Sequence, residues 1–283
     1  MNPERDLDAE LATVREFAIG AGEILLDWSG RLVSDQVGSK SAARDLVTAA
    51  DLASEAFLLE RLREAFPDDG FLAEESSEEK LPEGHEYVWC IDPLDGTVNF
   101  VHQLPMYAVS IARLRHGKPD LAVVHLPRLQ ETFTARAGGG SFLDGRPIQV
   151  SSSTEPLQSL FATGFPYRRH LLADNNLENF QRMFLHQRGV RRMGSAAIDL
   201  AYVAAGRIDA YWELHLSPWD AAGGALLVQE AGGVVDTFQP GGDWLFGRNI
   251  LAGPSELVEA TRALLKEGRG PGFPDLGDRP LEA

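Results

Sequence analysis

Apolar residues recur every three to four positions at Leu11, Val14, Phe17, Ala18, Ala21, Leu25 and Trp28, which predicts an amphipathic helix over about 7 to 29. A second helix is predicted over about 49 to 66, where Pro67-Asp68-Asp69-Gly70 stops it. Short apolar runs follow at 71–73, 87–92, 107–114, 121–125 and 131–136, the last paired with 141–143 across Gly138-Gly139-Gly140, and they read as strands of one large sheet. Several are joined by hairpin-length turns, so that sheet is expected to be antiparallel. Beyond the polar stretch 151–156, strands alternate with helices at about 174–187, 195–205, 219–231 and 254–267, the mark of an α/β arrangement. The chain is therefore read as an N-terminal α+β half over 1–150, a C-terminal α/β half over 151–267, and a Pro- and Gly-rich tail over 268–283, expected to be flexible and dispensable for chemistry. No internal repeat is evident.

With 283 residues, 44% of them apolar, the chain can bury a large core without disulfide staples. No apolar run approaches the roughly 20 residues that span a bilayer, and the acidic N-terminus does not resemble a signal peptide, so a cytoplasmic protein is expected. The single cysteine, Cys90, falls within an apolar stretch and reads as a buried, inert thiol. A formal charge of −16 argues against nucleic acid as the main partner, because phosphate backbones need clustered Lys and Arg. A small phosphate could still bind where divalent cations and helix N-termini reverse the local field.

Candidate chemistry is concentrated in four acidic segments: Asp45 with Asp51, Glu74-Glu75 after Phe71-Leu72-Ala73, Asp92-Pro93-Leu94-Asp95-Gly96-Thr97 after Ile91, and Trp219-Asp220 before Gly223-Gly224. Asp92 follows an apolar strand, Pro93 is expected to stop the ladder, and Asp95 follows within three positions, so both carboxylates should emerge at one strand end. Such a pair suits hard cations such as Mg²⁺, whereas zinc would favour His and Cys; none of the seven histidines falls in these segments. Each segment also has an ordinary reading taken alone. Asp92 and Asp95 could make turns, Glu74-Glu75 could be a solvated pair, Asp51 and Asp220 could be first-turn helix charges, and Thr97 could be a cap.

Taken together, in this order and spacing, the four segments resemble the inositol monophosphatase family, from Lys40 to about Gly253. The resemblance implies a layered αβαβα sandwich of the inositol monophosphatase / fructose-1,6-bisphosphatase type and a homodimer. It implies one Mg²⁺ held by Glu74, Asp92 and the carbonyl of Leu94, and a second held by Asp92, Asp95 and Asp220. A third, weaker Mg²⁺ near Glu74 follows by analogy only. The implied catalytic residues are Thr97, Asp51 and Glu74, with Thr97 orienting the attacking water and Asp51 accepting the threonine proton. Substrate-binding residues would be Asp95, Gly96, Thr97, Gly194, Ser195, Ala196, Glu213 and Asp220. The glycine at 96 lets backbone approach the ligand, Ser195 is placed to cap a helix, and Glu213 would accept hydrogen bonds from ring hydroxyls.

The implied activity is Mg²⁺-dependent hydrolysis of a small polyol phosphate, with myo-inositol monophosphate leading, in-line attack by water and inhibition by Li⁺. Thr163-Gly164-Phe165-Pro166 and Arg191 are read as lining the same pocket, and Lys40 as neutralising phosphate or the acidic ligands. Fructose-1,6-bisphosphatase, histidinol-phosphatase and adenosine 3′,5′-bisphosphate phosphatase share the scaffold, but Asn99-Phe100-Val101-His102 looks more like the inositol branch than the nucleotide branch. Gln103 stands where many relatives have glycine, which puts the local turn in question. A non-enzymatic regulator binding RNA or protein is the alternative of a different class.

Overall fold

The structure is a computed structural model that describes residues 5–31, 37–39, 46–77 and 79–278. Lys40 and Asp45 lie outside the described residues. The chain opens with α1 (Leu7–Trp28), whose first N–H groups at Asp8 and Ala9 donate to the Asp6 carboxylate at 3.1 and 3.2 Å. A two-stranded antiparallel ribbon, β1 (Val37–Ser39) and β2 (Leu46–Thr48), leads into α2 (Ala49–Ala65). Then come β3 (Gly70–Ala73), β4 (Tyr87–Asp95), the short α3 (Thr97–Val101), β5 (Ala108–Arg115), β6 (Lys118–Leu126), β7 (Glu131–Arg136), β8 (Gly140–Leu143) and β9 (Arg146–Pro147).

These seven strands form one sheet in chain order. Every pair is antiparallel except β3 with β4, which is parallel. The parallel edge departs from the antiparallel expectation because a 13-residue connection, 74–86, rather than a hairpin turn, joins those two strands. Pro93 does not end the ladder either. β4 continues to Asp95 through a bulge, with Asp92 opposite Ser110 and Asp95 opposite Ala108. A residue without an N–H is tolerated at a bulge, and the bulge turns both carboxylates toward one end of the sheet.

The second half contains β10 (Leu160–Thr163), α4 (Leu177–Phe184), β11 (Gly189–Arg191), α5 (Ala196–Ala204), β12 (Ala210–Leu214), α6 (Pro218–Glu230), β13 (Val234–Asp236), β14 (Asn249–Gly253) and α7 (Ser255–Lys266). Its five strands lie in the order β11-β10-β12-β14-β13, parallel among the first three and antiparallel at β14.

Three of the four apolar clusters among the described residues show how these elements stack into α/β/α/β/α layers. One lies between α1/α2 and the large sheet, with Leu25, Leu58, Trp89 and Ile111 fully buried. A second packs α5 and α6 between the two sheets through Leu200, Leu227 and Val124. The third packs α4 and α7 on the outer face of the smaller sheet through Phe161, Met183, Trp212 and Leu257. The central layer is tight because of two glycines in α6. A Cβ at Gly224 would lie 2.4 Å from that of Leu200 in α5, and one at Gly223 would lie 2.8 Å from the Ser110 hydroxyl of β5. Part of the Trp219 to Gly224 motif is thus a packing requirement.

The segment beyond Gly268, expected as a loosely ordered tail, makes specific contacts. Phe273 is 8% exposed and belongs to the outer core, and Asp278 forms a β-bridge with Leu172.

Candidate active site

The acidic segments converge where β4, the N-terminus of α2, the N-terminus of α5 and the N-terminus of α6 meet. Asp51 occupies the third position of α2 and completes a capping box with Thr48. The Thr48 N–H and hydroxyl donate to its Oδ2 at 2.8 and 2.6 Å, while Thr97 Oγ1 donates to its Oδ1 at 3.0 Å. The two readings of Asp51 from sequence, helix cap and chemical group, are therefore both realised, one by each carboxylate oxygen. Thr97 Oγ1 also lies 3.2 Å from the Leu94 carbonyl oxygen. Burial pushes the Asp51 carboxyl up to about 6, against the opposing hydrogen bonds from Thr48 and Thr97.

Asp92, Asp95 and Asp220 are each oriented through one oxygen by backbone donors. The Leu94 N–H reaches Asp92 Oδ1 at 3.0 Å, the Ala197 N–H reaches Asp95 Oδ2 at 2.7 Å, and the Ser217 N–H reaches Asp220 Oδ2 at 2.7 Å. Ser195 Oγ adds a second donor to Asp95 Oδ2 at 2.7 Å, while itself accepting the Ile198 N–H at 3.2 Å. The first turn of α5 thus directs its Ala197 and Ile198 N–H groups to Asp95 and to its own cap.

Desolvation raises the Asp92 carboxyl well above the usual carboxylate range, and repulsion from Glu74, Asp95 and Asp220 adds to it. Asp220 is raised for the same leading reason, then by Glu74 and Asp95. Asp95 is raised to about 7 by desolvation, with the bonds from Ser195 and Ala197 pulling the other way. Glu74, at the end of β3, hydrogen-bonds with Asp92. Glu74 and the neighbouring aspartates are close enough to help raise Asp92 and Asp220. Among the described residues, though, no three His, Cys, Asp or Glu side chains already close around one point as a finished metal cage.

The neighbouring backbone depends on glycine. Gly96 has φ 100°, and a Cβ there would lie 2.8 Å from the Met106 carbonyl oxygen and 3.4 Å from that of Gly194. Gly194 has φ 85°, with the Asn99 amide beneath it; Asn99 Nδ2 donates to the Met106 and Met193 carbonyls at 2.6 and 2.7 Å, tying α3 to the start of α5. Gln103 takes φ 58°, a left-handed conformation that glycine adopts more readily, so the turn in question is made here with a non-glycine residue.

A cavity of about 490 Å³ opens on this cluster and is lined by Glu74, Asp95, Gly194, Ser195, Ala196, Glu213 and Asp220 among others. Asp51, Asp92, Leu94 and Thr97 are buried, at 0, 1, 1 and 7% exposure. Glu213, at 8% exposure, accepts a 2.5 Å hydrogen bond from the Tyr211 hydroxyl. Burial raises its carboxyl, and the positive charge of Arg192 opposes that shift. Gly164 makes room for it, since a Cβ there would fall 2.0 Å from both carboxylate oxygens.

Phe165 and Pro166 line the cavity as expected, but Arg191 does not. Arg192 does; both arginines are exposed, and Arg191 donates to the Val190 carbonyl. Successive side chains leaving the β11 edge alternate faces, so the adjacent arginine is the one directed inward. Sequence reasoning also missed Tyr211 and Arg168. The two-residue spacing from Tyr211 to Glu213 on a strand was the available signal for Tyr211, because it places both on one face.

The carboxylate cluster and the threonine–aspartate pair lie together at one end of the large sheet of an αβαβα scaffold. Residues 6–268 match the sequence profile of the inositol monophosphatase family, and the chain belongs to that family. It is 44% identical over 248 residues to Nus factor SuhB of Pseudomonas aeruginosa, covering 86% of this chain and 90% of that one. It is 43% identical over 233 residues to the inositol-1-monophosphatase of a Synechocystis species, covering 82% of this chain and 80% of that one. The crystal structure of extragenic suppressor protein suhB from Bartonella henselae superposes with a TM-score of 0.86 at 38% identity, over 92% of this chain and 99% of that one.

Proposed function

We propose that this protein is a Mg²⁺-dependent phosphatase acting on a small polyol phosphate monoester, with myo-inositol monophosphate the leading substrate. The observation that carries this reading is the Thr97 hydroxyl, held between Asp51 Oδ1 at 3.0 Å and the Leu94 carbonyl at 3.2 Å, beside Glu74 and the raised carboxylates Asp92, Asp95 and Asp220. The donor set is entirely oxygen, which fits a hard cation and not zinc. Glu74, Asp92 and the Leu94 carbonyl would hold one ion, and Asp92, Asp95 and Asp220 a second. When bound, Mg²⁺ supplies positive charge against the phosphoryl oxygens and the departing alkoxide.

The chain's own groups do the rest. Thr97 Oγ1 donates to Asp51 and keeps a lone pair for the proton of an attacking water, so Asp51 is the terminal proton acceptor. Gly96 and Gly194 let the start of α3 pack against the Met106 carbonyl and the turn before α5, and Ser195 fixes Asp95. Glu213 faces the alcohol part of the ester with two acceptor oxygens and no donor. Family resemblance also supports a homodimer, which sedimentation at several concentrations tests.

The test is turnover of a panel of phosphate esters by the purified chain after chelation and after Mg²⁺ is restored. Turnover should vanish with chelation, return with Mg²⁺ and favour inositol monophosphate; full turnover in metal-free protein would refute the reading. A second reading, a regulatory partner in transcription, is supported by the relative named as a Nus factor. The charge of −16 weighs against a polyanion as the principal ligand of this chain. RNA binding at physiological salt by a chain that hydrolyses none of the esters would favour the second reading.

A further inference from the structure

Residues 269–278 lie beyond the stretch that matches the family profile, yet they reach the cavity just described. Arg269 anchors them, with its guanidinium 3.2 Å from Asp174 Oδ2, 3.1 Å from Glu178 Oε1 and 4.0 Å from the centre of the Phe273 ring. Phe273 packs in the outer core against Phe238, and Gln239 Nε2 donates to its carbonyl at 2.5 Å. Two backbone bonds then fix the end of the segment: the Asp174 N–H to the Asp275 carbonyl and the Ala173 N–H to the Gly277 carbonyl, both 3.0 Å. The result is a short added edge alongside 172–174. It places Leu276 and Asp278 on the cavity wall that also holds Asp95, Glu213 and Asp220.

We propose that residues 269–278 are a specificity-setting wall of this cavity, in which Leu276 contacts the carbon frame of the substrate alcohol and Asp278 disfavours alcohols carrying a second phosphate. The proposal rests on the phosphatase reading above. The charge argument follows from what surrounds Asp278. Its nearest cation, Arg168, is 3.8 Å away, and the pair is largely solvated at 48 and 73% side-chain exposure, so the carboxylate is only partly neutralised. An uncharged polyol meets an apolar side chain and an acceptor at this wall. A second phosphate placed against Asp278 meets like charge, which offsets the attraction of Arg168, Arg192 and Arg248 lining the same cavity.

The experiment uses the full chain with saturating Mg²⁺ and compares catalytic efficiency on myo-inositol 1-phosphate and fructose 1,6-bisphosphate for wild type, Leu276→Ala and Asp278→Asn. Asp278→Asn should raise the efficiency on the bisphosphate relative to the monophosphate by about three- to tenfold. Leu276→Ala should lower the efficiency on inositol 1-phosphate by about tenfold, through KM more than kcat. As a readout independent of turnover, Leu276→Cys is alkylated with iodoacetamide; Cys90, at 1% exposure, contributes little background. Inorganic phosphate plus myo-inositol with Mg²⁺ should slow that alkylation several-fold. Unchanged substrate ratios together with unprotected alkylation, in a chain whose wild type hydrolyses these esters, would overturn the wall and leave the phosphatase reading standing. Wild type that hydrolyses neither ester would remove the phosphatase reading and the wall with it.

Discussion

Gly164→Ala should impair recognition of a polyol ester without touching the phosphoryl site, and the structure sets the size of the effect. Gly164 has no left-handed φ that would penalise alanine, so the whole perturbation is the added methyl. That methyl would start 2.0 Å from both Glu213 oxygens, against 3.4 Å for ordinary contact, so the carboxylate must retreat by about 1.4 Å. Glu213 is confined by the 2.5 Å bond from Tyr211 and by its place in β12 opposite Ile250. The retreat therefore removes it from the position where it would accept substrate hydroxyls. A hydrogen bond to a charged acceptor contributes roughly 1.5–3 kcal/mol, which predicts about a 10- to 150-fold loss in kcat/KM on myo-inositol 1-phosphate. A nitrophenyl phosphate has no ring hydroxyls to lose, and its efficiency should stay within about threefold of wild type.

The control is Glu213→Ala, which leaves the space vacant for the new methyl. In that background Gly164→Ala should cost less than about twofold, because two changes acting on one contact are not additive. Glu213→Gln, which keeps the shape but not the charge, should resemble Gly164→Ala in its substrate ratio. Equal losses on both esters, or additive losses in the double variant, would mean that Gly164 acts on the fold and that Glu213 is not the polyol contact.

The clustering of these carboxylates was legible in the sequence because each sits at or beside the end of a regular element. Asp92 and Asp95 lie in the last four residues of the apolar strand β4, Asp51 and Asp220 occupy third positions of helices, and Glu74 immediately follows β3. Local pattern fixes where an element ends, and hence where such residues emerge. The mechanism by which Asp92 and Asp95 reach one end was misread, since a bulge and not a strand stop accommodates Pro93.

What the sequence concealed depends on contacts between distant segments. Gly164 and Glu213 meet only because β10 and β12 are parallel neighbours, and Leu276 reaches the cavity only through its edge on 172–174. Neither pairing has a local signature. Arg191 and Arg192 are a case between these two, because the dipeptide was visible but the facing residue was decided by the register of an edge strand. The order of the smaller sheet was hidden for the same reason: β14 enters between β12 and β13, and nothing in its own residues says so.

Two further predictions separate structural from chemical roles. Asp51→Asn keeps one acceptor oxygen where two now serve three donors, so kcat should fall by about 10²- to 10⁴-fold while stability drops by only about 0.5–2 kcal/mol; Thr48→Ala, which removes a donor on the cap side alone, should show a similar stability loss with kcat within about tenfold. Loss of both properties in parallel would make Asp51 a cap and no more. The last prediction concerns His125 on β6, which lies beneath α1, is 8% exposed and is 2.9 Å from the Thr132 hydroxyl through Nδ1. Burial lowers its pKa to about 4 from 6.5; Arg15 pushes the same way, while the Glu131 backbone and Asp144 oppose it. The folded state therefore holds the neutral ring, while the unfolded chain gains a proton as pH falls through 6.5. Stability attributable to this residue is intact above that value and declines between about 6.5 and 4, by about 3 kcal/mol at the acid end. His125→Gln removes the titration, so urea unfolding of wild type and variant at pH 7.5, 6.5, 5.5 and 4.5 should show a stability gap that moves in the variant's favour as pH drops. Curves that stay parallel across that range would mean that His125 is hydrated or protonated in the folded protein, and that α1 does not seal β6 at this point.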